Sequence, residues 1–360
     1  MNHKLMSKKK PSFPISEKLS AYLTRHGRNI KIPIFYDDLL RFQGAIEIFD
    51  EEGNDTLWVS VFFAEHERNE IEFSLKQIYT ILNADGSDTL IPYLNIDSID
   101  FCTFGNSKPF RIKVRNILND IYTYFYVKSA DASRIYGLEL EHLLSPNYIY
   151  FLVYKDTLIE EHISGIPGDT FIENHLDQCS EQDKRTIAKE FVKFNERCFV
   201  RLLGDMRSYN YVMVLTHDFD RILYRIRAID FDQQSFEGNP KVYKPQFLKE
   251  NNKLVEMTLD LLRQESIDQY KLEERSLLAK RAASEDTRLS QVLDCMCKDV
   301  ISTPEKVTEL KEGLLELTGD VEFKKANNMG DILKSALGFV GRNYENLNPH
   351  IIRNNQVDNV

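Results

Sequence analysis

The stretch LLGDMRSYNYVMV, residues 202–214, places an acidic residue and an amide in a polar segment directly before a run of strand-forming residues. Asp205 follows a segment with helical periodicity, and Asn210 stands five residues later, where the strand-forming run begins. Each residue alone is ordinary, because Asp and Asn side chains commonly cap helices and bond to nearby backbone in turns. The sequence on either side indicates whether the pair has a further role.

The flanking segments predict a geometry that brings three polar side chains together. Residues 181–202 carry apolar side chains at four-three-four spacing, which predicts a long helix with one buried stripe: Ile187, Phe191, Phe194 and Cys198. After Asn210, YVMVL and RILYRIRAI are predicted to pair as a hairpin across the polar turn THDFD. Asp230 ends the returning strand in AIDFD, so the hairpin would place Asp205, Asn210 and Asp230 at one edge.

The preceding block, residues 98–164, is predicted to be rich in strands. IDFCTF, FRIKVRNI and YTYFYVK read as three strands, with Gly105-Asn106-Ser107 as the turn between the first two. A short helix is expected over residues 131–144, capped by Asp131 or Ser133. YIYFLVY and TLIEEHI are two further strands, and the glycines and proline of SGIPGD mark a connector.

The N-terminal and C-terminal parts complete a three-domain prediction. AIEIF and TLWVSVFF predict a hairpin, and a helix follows over residues 68–83 with Ile71, Leu75, Ile78 and Leu82 on one face. The turn NADGSD is expected to close this unit, and a further helix is expected to open at Ser302-Thr303-Pro304. The predicted fold class is α+β, with an N-terminal α+β domain (1–97), a small strand-rich domain (98–164) and a helical domain (165–360).

Charge and composition exclude several classes of partner. The formal net charge is −10, and Lys8-Lys9-Lys10 is the basic run, which argues against a nucleic-acid partner. No apolar segment follows these lysines, and the longest apolar run, YIYFLVY, is too short to span a bilayer. Five scattered cysteines do not form a disulfide or zinc pattern. We therefore expect a cytoplasmic protein with neither a nucleic-acid nor a membrane partner.

The polar residues match a chemistry that needs few protein groups. Phosphoryl transfer from ATP requires a lysine on the phosphates, oxygen ligands for magnesium and a carboxylate that orients the attacking hydroxyl. LLGDMRSYNYVMV followed by AIDFD resembles the catalytic and metal-binding segments of the protein-kinase-like superfamily, most closely those of aminoglycoside and choline phosphotransferases, which read HGDxHxxN and IDF[DG]. The resemblance implies a two-lobed fold, ATP and Mg²⁺ as cofactors, Asp205 as the catalytic aspartate, and Asn210 and Asp230 as metal ligands.

The same resemblance, which extends over roughly residues 98–240, implies roles for further residues upstream. Lys128 ends the strand YTYFYVK and would bind phosphate, paired with Glu139 or with Glu141, of which Glu139 is preferred. Backbone groups near Glu161 and His162 in LIEEHISGIPGD would contact adenine, and Gly105 would belong to the loop that covers the phosphates.

Two departures from the family pattern keep other functions open: Leu203 replaces the usual histidine, and FGNSKPF has a single glycine. Asp232 also replaces the glycine of the protein-kinase DFG, but an aspartate there resembles the small-molecule kinases. The leading hypothesis is an ATP- and Mg²⁺-dependent phosphotransferase acting on a hydroxyl of a small molecule or protein. The alternatives are a catalytically silent nucleotide-binding scaffold and an adenylyl transferase on the same fold.

Overall fold

A computed structural model of the chain describes residues 10–83, 86–219 and 221–343. The chain forms two compact units. The sheet unit comprises Pro14–Ala132 and Ile149–His162, and the described part of the helical unit comprises residues 10–13, 133–148 and 163–343 apart from residue 220. Three predicted features lie partly outside the described residues: Lys8 and Lys9 of the basic run, residues 84–85 of the NADGSD turn, and residue 220 of the THDFD turn.

The sheet unit is built on an antiparallel sheet with helices beside it. Its helices are α1 (Glu17–Arg25), α2 (Tyr36–Leu39) and α3 (Glu65–Asn83). Its strands are β1 (Gly44–Phe49), β2 (Asp55–Phe62), β3 (Leu94–Cys102), β4 (Phe110–Asn116), β5 (Ile121–Ser129), β6 (Phe151–Tyr154) and β7 (Thr157–Glu161). Within the described residues the strand order is β1-β2-β3-β4-β5-β7-β6, and each neighbouring pair is antiparallel.

One face of this sheet forms the hydrophobic core of the sheet unit. Alternate residues of β4 enter the core with at most 1 % exposure: Phe110, Ile112 and Val114. The predicted stripe of α3 packs against the same cluster through Ile71, Leu75 and Ile78. Because side chains alternate along a strand, Arg111 and Lys113 point to the opposite face. That opposite face therefore carries the polar side chains of the unit.

The predicted boundary at residue 97 is wrong. It falls inside β3, and β2 pairs with β3 through Trp58↔Cys102 and Ser60↔Asp100. Val61 of β2 shares the core with Ile99 of β3. A two-stranded hairpin buries too little apolar surface to stand alone, so the N-terminal hairpin extends the sheet of the following block.

The helical unit surrounds a smaller sheet. Its helices are α4 (Ala132–Leu144, with residues from Ser133 onward in this unit), α5 (Gly168–Asn174), α6 (Glu181–Arg201), α7 (Asn252–Leu261), α8 (Gln264–Ser284), α9 (Asp286–Met296), α10 (Pro304–Thr318) and α11 (Met329–Asn343). Its strands are β8 (Ile166–Pro167), β9 (Tyr211–Asp218) and β10 (Arg221–Ala228), in the order β10-β9-β8. None of the helices in the described part of the chain combines the length and the apolar character that spanning a bilayer requires.

Several local predictions for this unit are confirmed. The four stripe residues of α6 are at most 2 % exposed, and β9 and β10 form the predicted hairpin. Thr303 caps α10 by accepting a hydrogen bond from the Lys306 backbone, with Pro304 in the first turn. Helix caps and apolar stripes depend on residues within one or two turns, which explains why the sequence predicts them well.

The placement of α4 corrects the predicted small domain. The sequence grouped this helix with the strands before and after it, but from Ser133 onward it belongs to the helical unit. Its apolar side chains Ile135, Leu138 and Leu140 are at most 1 % exposed, and so is Glu139. A helix that is buried on nearly every side, charged residues included, needs partners on every side. In the helical unit these include α6, α9 and the segment that follows β10.

Candidate active site

The segment after α6 departs from ordinary backbone geometry at two positions. Leu202 ends the helix with φ 54°, and Asp205 has φ 60°, both in the left-handed region. Side chains other than glycine are uncommon there, although Asp and Asn tolerate this conformation best. Such strain persists only where the surroundings impose it, and it concentrates at functional sites. Asp205 is therefore held in place by its neighbours, not by local preference.

Asn210 ties this segment to the end of β10. Its side-chain Nδ2 donates to the carbonyl of Asp205 at 2.7 Å. Its own carbonyl accepts from the Ile229 backbone N–H at 3.0 Å. Asp230 follows directly, and its Oδ1 accepts from the backbone N–H of Asp232 at 2.9 Å. The three residues singled out by the sequence therefore lie on adjacent segments of the helical unit.

A buried asparagine fixes the middle of the segment. Asn251 is fully buried, and its Nδ2 donates to the carbonyls of Met206 and Pro245. Its Oδ1 accepts from the Tyr211 hydroxyl at 2.9 Å. Asn251 was not predicted from the sequence, because it lies 40 residues after Tyr211 and 45 residues after Met206 and no local pattern marks it. It holds the two ends of the segment between Met206 and Tyr211.

The Asp205 carboxylate is mostly buried and is held by Arg207. The side chain of Asp205 is 23 % exposed, and its Oδ1 accepts from Arg207 Nε at 2.8 Å. Burial raises the pKa of Asp205, and the positive charge of Arg207 partly opposes this shift. Arg207 also contacts Glu250 at 3.2 Å. Arg207 was missed by the sequence analysis even though it stands two residues from Asp205.

Asp232 has a structural partner that explains its presence after Phe231. Its carboxylate pairs with the buried guanidinium of Arg134 near the start of α4. The neighbouring Ser133 hydroxyl donates to the carbonyl of Gln234 at 2.7 Å. These contacts join the start of α4 to the segment that follows β10. The aspartate that departs from the protein-kinase motif therefore anchors a helix.

The expected ion pair between Lys128 and a glutamate of α4 is wrong. Lys128 Nζ lies 2.6 Å from Glu160 Oε2. On α4, Glu139 accepts from Arg288 of α9 at 2.7 Å, and Glu141 pairs with Arg201 of α6. Both glutamates are thus satisfied by arginines within the helical unit.

The strand register explains why Glu160 takes this place. Lys128 on β5 is opposite Leu158 on β7, so Glu160 lies two residues further along on the same face. Such diagonal neighbours are within reach of long side chains. Lys128 is 8 % exposed and Glu160 is 4 % exposed, so both charges are withdrawn from water and neutralise each other.

Lys128 belongs to a row of polar side chains on the outer face of the sheet. Arg111 pairs with Asp100 at 2.9 Å and lies over the ring of Trp58, with 4.6 Å between its guanidinium carbon and the ring centroid. The Tyr126 hydroxyl lies 3.2 Å from Nδ1 of His162. Burial raises the pKa of Tyr126 to about 12, so its hydroxyl stays protonated at neutral pH.

The other predicted nucleotide contacts also lie in the sheet unit. Burial and the nearby Arg111 lower the pKa of His162, which keeps its ring neutral near pH 7. The backbone N–H of Glu161 donates to the Tyr150 carbonyl at 3.1 Å, so this donor is already used. Gly105 has φ 85° in the connection between β3 and β4, with open space where a Cβ would lie. Its left-handed backbone accounts for glycine at this position.

The donor set for magnesium is small but of the right chemical type. Within residues 10–83, 86–219 and 221–343, no group of three or more His, Cys, Asp or Glu side chains is arranged to hold a metal ion. Asn210 and Asp230 supply an amide and a carboxylate, the oxygen ligands that magnesium prefers. Since Asn210 uses its Nδ2 on Asp205, its Oδ1 is the atom oriented away from that bond. Magnesium bound here would take its remaining ligands from water and phosphate.

No protein-family model matches this chain, and no curated protein matches it in sequence.

Proposed function

We propose that the protein is an ATP- and Mg²⁺-dependent phosphotransferase that acts on a hydroxyl group of a small-molecule or protein acceptor. The observation that carries the proposal is the arrangement of Asp205, Asn210 and Asp230 on adjacent segments, joined by hydrogen bonds of Asn210. A catalytic carboxylate and a metal-binding pair must be held in a fixed relation, because phosphoryl transfer depends mainly on position and charge.

The residues divide the chemistry between them. Asp205 would accept a hydrogen bond from the acceptor hydroxyl and orient it, which requires the ionised carboxylate. Arg207 favours that form, since a positive charge at 2.8 Å opposes the effect of burial. Asn210 and Asp230 would hold magnesium, which neutralises charge on the phosphates when bound. The left-handed backbone at Asp205 keeps its carboxylate from relaxing into an ordinary turn.

The order of elements supports the same proposal. A strand with Lys128 precedes α4, two strands follow, and the long helix α6 leads into Asp205, Asn210, a hairpin and Asp230. This is the order of elements expected from the resemblance to aminoglycoside and choline phosphotransferases.

A second function is favoured by the pairing of Lys128. Its ammonium group already has a buried carboxylate partner at 2.6 Å, so binding phosphate would require it to leave Glu160 or to share its donors. Leu203 is buried and cannot replace the hydrogen bond of the usual histidine. These features fit a catalytically silent protein that binds nucleotide and acts as a scaffold. Adenylyl transfer would use the same residues as phosphoryl transfer.

The test separates the three functions by measuring binding and transfer independently. A thermal-shift titration with ATP and Mg²⁺ reports binding, because a ligand of the native state raises the melting temperature. Transfer is followed with ATP labelled on either the α- or the γ-phosphate, using an acceptor panel that includes the protein itself. Label from the γ position indicates a phosphotransferase, and label from the α position indicates an adenylyl transferase.

The matched variant is Asp205→Asn, which keeps a side chain that tolerates the left-handed backbone but removes the carboxylate. We expect it to bind MgATP and to transfer phosphate at least about 100-fold more slowly. Binding by the wild type without transfer would identify the silent scaffold. Equal transfer by both proteins would remove Asp205 from the mechanism.

A further inference from the structure

A cavity of about 80 Å³ lies within the helical unit among α6, α8, α10 and α11. Its walls are largely apolar and include Phe199, Leu314, Leu317, Phe339 and Val340. None of the residues of the candidate active site lines it. Its volume accommodates roughly five to eight water-sized groups, which corresponds to a short hydrocarbon chain.

The charged residues that line the cavity are mostly cationic. Lys244, Lys271 and Arg275 line it together with one acidic residue, Glu196. Glu196 is buried and is already neutralised by Arg275 at 2.5 Å. Among the described residues, the lining therefore keeps Lys271 as a cation without an acidic partner, in a chain whose net charge is −10.

Lys271 and Lys244 are placed differently around this cavity. Lys244 Nζ lies 4.7 Å from the centroid of the Phe199 ring, which holds this cation beside an apolar wall. Lys271 is half-buried, one helical turn before Arg275 on α8, and forms no ion pair or hydrogen bond within the described part of the chain. A half-buried ammonium beside apolar walls gains from an anion that brings its own apolar body.

We propose that this cavity binds a small amphipathic carboxylate, with its hydrocarbon part between α6, α10 and α11 and its carboxylate on Lys271. A carboxylate can accept from Lys271 while its chain covers the half-buried side chains of Leu317 and Phe339. Apolar burial would supply most of the affinity, and the charge would select the anion over a cation of the same length. The proposed site is separate from phosphoryl transfer and does not depend on it.

Isothermal titration calorimetry with sodium hexanoate, whose eight non-hydrogen atoms match the size of the cavity, tests the proposal on the full chain. We expect one molecule per chain, and we expect hexylammonium, which has the same chain and the opposite charge, to bind at least about tenfold more weakly. Absence of hexanoate binding, or equal binding of hexylammonium, would overturn the proposal.

Two variants locate the binding. Lys271→Gln should weaken hexanoate binding about three- to tenfold, as expected for a half-exposed ion pair. Leu317→Glu, which adds an anion at a half-buried wall position, should abolish binding while circular dichroism shows an intact fold. Lys280→Gln, at an exposed lysine on the same helix, is the matched control and should leave the affinity unchanged. Hexanoate binding that neither cavity variant alters would place the ligand elsewhere and contradict the assignment.

Discussion

Asp205 in the helical unit and Lys128 in the sheet unit each form a short ion pair, but the two pairs are built differently. Asp205 pairs with Arg207, two residues away, on left-handed backbone, and its side chain keeps 23 % of its surface exposed. Lys128 pairs with Glu160, 32 residues away, across two regular strands, and its side chain is 10 % exposed.

This difference indicates that the Asp205–Arg207 pair is suited to chemistry and that the Lys128–Glu160 pair is suited to stability. A carboxylate with remaining exposure on strained backbone is accessible to a substrate and is kept in an unusual position. A lysine and a glutamate that are both buried in a regular sheet neutralise each other, and removing either one leaves a charge without compensation. The two regions should therefore respond in opposite ways to substitution.

The largest expected effect is on the stability of the sheet unit. Lys128→Met leaves Glu160 buried without its cation, which should cost about 3–5 kcal/mol in the free energy of unfolding. The double variant Lys128→Met with Glu160→Leu should recover most of that loss, since no charge then remains buried. Urea unfolding followed by circular dichroism measures both.

The control for Lys128 is Lys113→Met on β4 of the same sheet. Lys113 is half-buried over the Tyr122 ring, and its loss should cost less than about 1 kcal/mol. Similar losses in the free energy of unfolding for Lys113→Met and Lys128→Met would show that burial of the Lys128–Glu160 pair does not determine the effect of Lys128→Met on stability.

A smaller effect is expected from crowding the Asp205 segment. A Cβ at Gly168 would lie 2.4 Å from the Ser208 carbonyl oxygen and 2.2 Å from the Tyr211 ring. Gly168→Ala should therefore destabilise the protein by about 1–3 kcal/mol. Because Ser208 and Tyr211 flank Asn210, transfer activity should fall as well.

Gly341→Ala on α11 is the matched control, because its Cβ would meet no atom within 4 Å. Alanine in this helix should be neutral or stabilising by up to about 1 kcal/mol. Equal melting temperatures for Gly168→Ala and wild type would contradict the close packing around Ser208.

The smallest expected effect is a shift in pH dependence. Burial raises the pKa of Asp205 and Arg207 opposes it, so Arg207→Gln should raise this pKa further. In the proposed mechanism the ionised carboxylate orients the acceptor, so the acid limb of the pH–rate profile should move to higher pH in this variant. A profile that does not move would show that Asp205 is not the titrating group.

The sign for stability follows from the same shift. A carboxyl group whose pKa is raised on folding stabilises the native state fully below its ordinary value of 3.8, and this contribution is lost as pH rises through the folded pKa. The difference in melting temperature between wild type and Asp205→Asn should therefore decrease as pH rises from 3.8 through the pKa of the folded protein. If that difference increases with pH, the charge of Arg207 affects the pKa of Asp205 more strongly than burial does.

The two regions also differ in what the sequence could reveal. The Asp205–Asn210 segment could be singled out because its two candidate residues are five positions apart, next to a helix stripe and a strand hairpin that periodicity predicts. The α3 stripe and the Thr303 cap were predictable for the same reason. These features depend on local spacing alone.

The partners of charged residues were not predictable, because they come from distant parts of the chain. The β5–β7 register places Glu160 beside Lys128. The position of α4 places Arg134 beside Asp232. The boundary at residue 97 failed for a related reason, since the pairing of β2 with β3 depends on a shared core. Periodicity predicts the helices and strands, but it does not predict which of them pack against each other.

The most direct test of the central claim is a crystal structure with a non-hydrolysable ATP analogue and Mg²⁺. We expect a magnesium ion about 2.1 Å from oxygens of Asn210 and Asp230, with the terminal phosphate facing the Asp205 carboxylate. A nucleotide bound without any metal contact to these residues, or bound away from Asp205, would contradict it.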